Sequence, residues 1–131
     1  MLGSQLNATI GNDQIVLAIL GDLASSVSAA GANQAAATLI TASINIVTTV
    51  AAGTGVRLPV TPTVSAKDTI SIANYGANTL NVYPPTGGKI NNGATNAAVT
   101  VSATNSIDLL CIDGTNYLCK TIPVTAGLWG A

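Results

Sequence analysis

The spacing of hydrophobic positions changes character near residue 33. Between 13 and 30, Val16, Ile19, Leu20, Leu23 and Val27 recur at steps of three and four, which predicts one face of a short α-helix. Asn12 or Asp13 would cap it and Gly31 would stop it. Gly21 and the run Ser25-Ser26-Val27-Ser28 are poor helix formers and weaken that reading. Residues 1–12 are polar, with Gly3, Ser4, Gln5, Asn7, Gly11 and Asn12, and read as an extended arm. From Gln34 the texture becomes Thr, Val, Ile, Ala, Asn and Gly, broken by turn residues.

That second zone predicts strands at 36–41, 43–51, 55–60, 68–74, 78–83, 97–103, 106–112 and 116–122. Period-two alternation is plain in two of them. Ile70 and Ile72 alternate with Thr69, Ser71 and Ala73; Leu80 and Val82 alternate with Thr79, Asn81 and Tyr83. The joints carry turn chemistry in Asn74-Tyr75-Gly76, Pro84-Pro85-Thr86-Gly87-Gly88, Asn91-Asn92-Gly93 and Asp113-Gly114. Pro59, Pro62, Pro84 and Pro123 fall at strand ends, where a missing N–H does little harm. The expected fold is mainly β, an antiparallel β-sandwich or barrel with an N-terminal extended arm and one short α-helix. Its parts are an arm and helix over 1–32, a β-domain over 33–124 and a tail over 125–131. No solenoid-type repeat is visible. The expected core includes Ile44, Ile46, Ile70, Ile72, Leu80, Val82, Leu109, Leu110 and Ile112.

The last hairpin joins Ile107–Ile112 to Asn116–Ile122 through Asp113-Gly114-Thr115. A three-residue loop at 114–116 would set Cys111 opposite Cys119, and a two-residue loop at Gly114-Thr115 would set it against Leu118. Directly opposed strand positions rarely suit disulfide geometry, so two buried thiols are expected.

Composition then removes most chemistry. Charged residues are 7% of the chain, against about 25% in an ordinary domain. There is no His, so neither a Ser-His-Asp triad nor a Cys-His pair can form within one chain. Two cysteines fall short of a zinc site. Asp13, Asp22, Asp68, Asp108 and Asp113 could in principle supply a carboxylate pair for glycoside cleavage, but each sits where a cap, turn or solvated strand residue is expected. Gly87-Gly88-Lys89-Ile90 lacks the first glycine of a phosphate loop and the Ser or Thr after the lysine, and Gly53-Thr54-Gly55 lacks the third glycine of a dinucleotide fingerprint. No enzyme activity and no cofactor is expected.

Arg57, Lys67, Lys89 and Lys120 are isolated in a chain of net charge −1, which argues against nucleic acid as a partner. Ala35–Ala52 is uncharged but interrupted by Thr38, Thr41, Ser43, Asn45, Thr48 and Thr49, so it reads as strand and not as a membrane span. A sheet surface of Thr, Ser, Asn, Ala and Gly lacks the charges that normally keep sheet edges apart. It suits burial against copies of itself or another protein, where each desolvated charge would be costly. The expected contact positions are Leu2, Leu6, Ile10, Val16, Leu20 and Leu23 near the N-terminus, with Leu128 and Trp129 in the Gly-rich tail.

Two stretches carry a resemblance. One is Ile44-Asn45-Ile46-Val47-Thr48-Thr49-Val50-Ala51-Ala52-Gly53-Thr54-Gly55-Val56-Arg57-Leu58-Pro59. The other, more specific, runs from Ile70-Ser71-Ile72-Ala73-Asn74-Tyr75-Gly76 through Leu80-Asn81-Val82-Tyr83-Pro84-Pro85-Thr86-Gly87-Gly88-Lys89-Ile90-Asn91. Over roughly residues 33–122 the chain resembles small structural proteins of tailed-bacteriophage virions. The resemblance implies a virion β-domain and brings no catalytic residues. Within a virion, small size and the lack of enzymatic groups fit first a head decoration (cement) protein that binds the major capsid protein at the capsid surface, commonly as a trimer, after assembly in the host cytoplasm. A tail or fibre component that touches host glycan is the alternative, and would present Tyr75, Tyr83 or Tyr117 as stacking platforms.

Overall fold

A computed structural model of the chain describes residues 22–60, 64 and 66–119, and within them the regular structure is entirely β. The strands are β1 (Leu23–Ser28), β2 (Thr38–Leu39), β3 (Ile44–Thr49), β4 (Gly55–Arg57), β5 (Thr69–Asn74), β6 (Leu80–Tyr83), β7 (Val99–Val101), β8 (Ser106–Cys111) and β9 (Tyr117–Cys119). They form a five-stranded sheet in the order β1-β3-β5-β8-β9 and a four-stranded sheet in the order β2-β4-β6-β7. Each of the eight strands expected from the sequence is present, most of them shorter than expected at one end or both; positions 120–122 of the last lie outside the described residues.

The pairing differs from the expected antiparallel one. β1, β3 and β5 run parallel, as do β2, β4 and β6, and antiparallel pairs enter only with β7, β8 and β9. Both sheets are therefore mixed. Up to β6 the chain winds, leaving one strand in each sheet per turn. A parallel pair needs a crossover of a dozen or more residues, and here a strand of the opposite sheet supplies it. Leu23 lies beside Ile44, and Ile44 beside Ser71, so successive turns differ in length. That inequality hides the winding from a search for sequence repeats.

The expected helix over 13–30 is corrected where it can be compared. Leu23–Ser28 is strand β1, and Ala30 bridges Gly55; positions 13–21 lie outside the described residues. The serine run gives a helix little, whereas the strand gains pairing to β3 and an Ala29 N–H bond to the Thr49 carbonyl at 2.9 Å.

Inward side chains of both sheets meet in one core. Val47, Ile70, Ile72, Ile107, Leu109, Cys111 and Tyr117 come from the larger sheet, and Val56, Leu80, Val82 and Val101 from the smaller. Each such aliphatic side chain contributes about 1.5–3 kcal/mol on burial. In β3 the phase is opposite to expectation: Asn45 and Val47 point inward, Ile44 is 43% exposed and Ile46 is half-buried. Ile112 is likewise exposed and Leu110 half-buried, while Ile70, Ile72, Leu80, Val82 and Leu109 are buried as expected.

Two asparagines stand in this apolar interior. Asn74 Nδ2 donates to the carbonyls of Val101 and Asn78, both at 2.8 Å, and its Oδ1 accepts from Gly76 N–H, so one side chain ties β5 to β7 of the other sheet. Asn45 Nδ2 donates to the Ala42 and Ser71 carbonyls, and its Oδ1 has no partner among the described residues. At the final hairpin Asp113-Gly114-Thr115 forms the loop, closed by an Ile112 N–H to Asn116 carbonyl bond. Cys111 then faces Tyr117 and Cys119 faces Leu109, so neither expected cysteine register occurs, and both sulfurs are buried thiols.

Candidate interaction surface

Strand alternation sends a second set of side chains to the outer face of the five-stranded sheet. Register places them in three rows: Leu23, Ile44, Ser71 and Asp108; Ile46, Ala73 and Ser106; Thr69, Leu110 and Leu118. Leu23 is 55% exposed, Ile44 43% and Leu118 42%, so large apolar side chains reach solvent at the β1–β3 and β9 sides of the sheet, while β5 and β8 between them present Thr69, Ser71, Ala73, Ser106 and Asp108. Asp108 is the one charged residue within these five strands. Its Oδ1 accepts the Ser71 hydroxyl at 2.7 Å, which holds the carboxylate down against the sheet.

The outer face of the four-stranded sheet has a different make-up. Leu39, Arg57 and Tyr83 share one row, with Gly55 and Asn81 in the row before. Gly55 is required there, because a Cβ would meet the Asn81 carbonyl oxygen and the Tyr83 ring. The tyrosine therefore lies down on β4.

The edges matter as much as the face. β1 and β2 are each an outermost strand of their sheet, and between them the Thr38 hydroxyl donates to the Ser28 carbonyl at 2.6 Å. β1 reads Leu-Ala-Ser-Ser-Val-Ser and has no charge or proline to discourage pairing, although its register shifts beside Val27 break the regularity of the edge. This uncharged edge adjoins the exposed Leu23 and Ile44 of the outer face.

Of the contact positions expected from the sequence, Leu23 is on this surface. Leu2, Leu6, Ile10, Val16, Leu20, Leu128 and Trp129 lie outside the described residues. Sequence reading missed Ile44, Leu118 and Ile112 as surface groups, having assigned Ile44 and Ile112 to the core. The signal available was Val47 with Asn45: placing Val47 inside forces Ile44 and Ile46 out.

The polar groups near the surface are structural. Asp113 is fully exposed, and hydrogen bonds from the Asn116 side chain, then from the Thr115 and Asn116 N–H groups, hold its carboxyl below the ordinary range. Among the described residues no three Cys or Asp side chains converge in a way that could hold a metal ion. Of the three tyrosines, Tyr117 is buried and Tyr83 half-buried, whereas Tyr75 is 66% exposed in the turn after β5. Compared with protein-family models, with curated proteins and with solved structures, the chain matches none.

Proposed function

We propose that this chain is a structural component of a tailed-phage virion, a decoration protein that binds the major capsid protein and reinforces the head. In this reading its two sheets stack as a β-sandwich, copies associate as trimers, and no catalytic step is involved. The resemblance over residues 33–122 suggests the setting. The observation that supports the contact role is the exposure of Leu23, Ile44 and Leu118 on the outer face of the five-stranded sheet, where the one carboxylate is hydrogen-bonded and the edge strand is uncharged. That both sheets feed one core while neither closes on itself supports the sandwich.

Magnitude shapes the mechanism. Five strands about 4.8 Å apart, each a few residues long, give a face on the order of 400 Å². A stable interface buries about 800 Å² per partner, so this face alone holds a partner weakly. Occupancy then depends on many equivalent sites and on association between copies. A tail or fibre component that stacks a host glycan on Tyr75 is the second reading, favoured by the exposure of that ring.

The test is to purify particles, strip this protein under mild denaturant and count copies per particle. Counts matching the capsid lattice support decoration, counts matching a single tail support the second reading, and absence from particles removes both.

A further inference from the structure

We propose that the groove at the carboxyl ends of β2, β4 and β6 binds a peptide segment presenting a carboxylate beside an aliphatic side chain, with Arg57 receiving the carboxylate. The site stands apart from the outer face of the five-stranded sheet, and the inference holds whichever assembly the chain serves.

Three parallel strands end here in register, at Leu39, Arg57 and Tyr83. The pairing continues one step beyond them, from Ile40 N–H to the Arg57 carbonyl and from Leu58 N–H to the Tyr83 carbonyl, each at 2.9 Å. The backbone that carries Arg57 is thus fixed on both sides. Beyond the strand ends lies a groove of about 290 Å³, walled by Leu39, Leu58, Pro59, Val60 and Pro85 with Thr86 at the rim. Leu39 is 47% and Val60 43% exposed, so apolar surface stands open to solvent beside the guanidinium. Two prolines stiffen the walls, and Pro59 is further held through its carbonyl by the Tyr117 hydroxyl at 2.7 Å.

Arg57 is half-buried, and its one hydrogen bond runs from Nη1 to the Gln34 carbonyl at 3.4 Å, the outer limit of such a contact. No carboxylate among the described residues lies within ion-pair distance of it. A guanidinium offers five donors in a planar fork that matches a carboxylate. Most of that capacity points to no partner here. Charge complementarity sets the ligand: one fixed cation in an apolar setting neutralises a monoanion, and a doubly charged phosphate would leave charge uncompensated against leucine and proline. Size sets the rest. A cavity of about 150 Å³ holds a benzene, so this groove has room for about two side chains.

The experiment uses the full chain labelled with nitrogen-15 and two probes, acetyl-Val-Glu-Leu-amide and acetyl-Val-Gln-Leu-amide, followed by NMR. The glutamate peptide is expected to shift the amides of Leu39, Val60 and Thr86 and the Arg57 Nε resonance, and to bind about tenfold more tightly than the glutamine peptide, as a charge-assisted hydrogen bond implies. Arg57→Gln should erase that preference, and Arg57→Lys should retain part of it. Equal binding of the two peptides to the unaltered chain, shifts centred elsewhere such as around Lys89, or no shift at millimolar peptide would each overturn the proposal. The comparison of peptides on the unaltered chain needs no variant to fold.

Discussion

The Tyr117 hydroxyl donates to the Pro59 carbonyl at 2.7 Å, a buried bond between residues 58 positions apart. It fastens the last hairpin to the segment that leaves β4. Tyr117→Phe keeps the ring in the core and strands the buried Pro59 carbonyl, which costs about 1–3 kcal/mol. Urea unfolding followed by circular dichroism should show a lower midpoint at unchanged slope. An unchanged midpoint would mean that the bond adds nothing to the fold.

The same phenol makes the fold sensitive to alkali. Burial, then the neighbouring Cys111 and Asp68, push its ionisation well above the usual tyrosine range. The folded state therefore favours the neutral ring. Its contribution is fully present below about pH 10, where unfolded tyrosine titrates, and is lost as pH rises beyond that through the folded value. Asp113 acts oppositely: its lowered carboxyl adds stability above about pH 4 that fades as pH falls. Unfolding midpoints measured against pH should drop on the alkaline side, and Tyr117→Phe should flatten that limb. An identical alkaline limb in the phenylalanine variant would refute the assignment.

Thr104 has φ of 69° in the turn between β7 and β8, a left-handed conformation that a β-branched residue adopts only under strain. Its N–H bonds the Asn74 carbonyl at 2.8 Å, which holds it there. Thr104→Gly relieves the strain while keeping that bond, and is expected to gain about 0.5–1 kcal/mol after the added freedom of the unfolded chain. Thermal unfolding checks it; a lower melting temperature contradicts it.

Gly88 is required for a different reason. A Cβ there would fall on the Thr115 carbonyl oxygen, so the turn after β6 and the last hairpin approach too closely for any side chain. Gly88→Ala should destabilise by about 1–3 kcal/mol, whereas its neighbour Gly87 has nothing within 4 Å of an added Cβ and would suffer from its positive φ alone. Comparing the two alanine variants by urea unfolding separates crowding from backbone conformation, and a harmless Gly88→Ala would refute the close approach.

Strand positions were legible because turn residues and alternation are local signals. Ile70/Ile72 and Leu80/Val82 point inward as their alternation implies. The pairing order was not legible: alternation is the same whether Ile44 lies beside a parallel or an antiparallel neighbour. The phase of β3 was misjudged because Asn45 is polar and yet faces inward, its amide held by the Ala42 and Ser71 carbonyls. β1 was hidden by Leu20, Leu23 and Val27, whose spacing fits a helix although pairing to β3 decides the matter. Of the exposed apolar groups on the outer face, Leu23 alone stood among the expected contact positions. The full extent of that set required knowing that Ile44 and Leu118 share the outer face.

In the proposed role the outer face of the five-stranded sheet is an interface. Ile44→Lys combined with Leu118→Lys puts charge on exposed positions of that face without entering the core. The decisive measurement is the fraction of purified protein retained on its assembly partner, particle or copy, set beside the melting temperature of the variant. Retention is expected to fall at least tenfold, as two desolvated charges require, while the melting temperature stays within a few degrees. Unchanged retention in a folded double variant would contradict it.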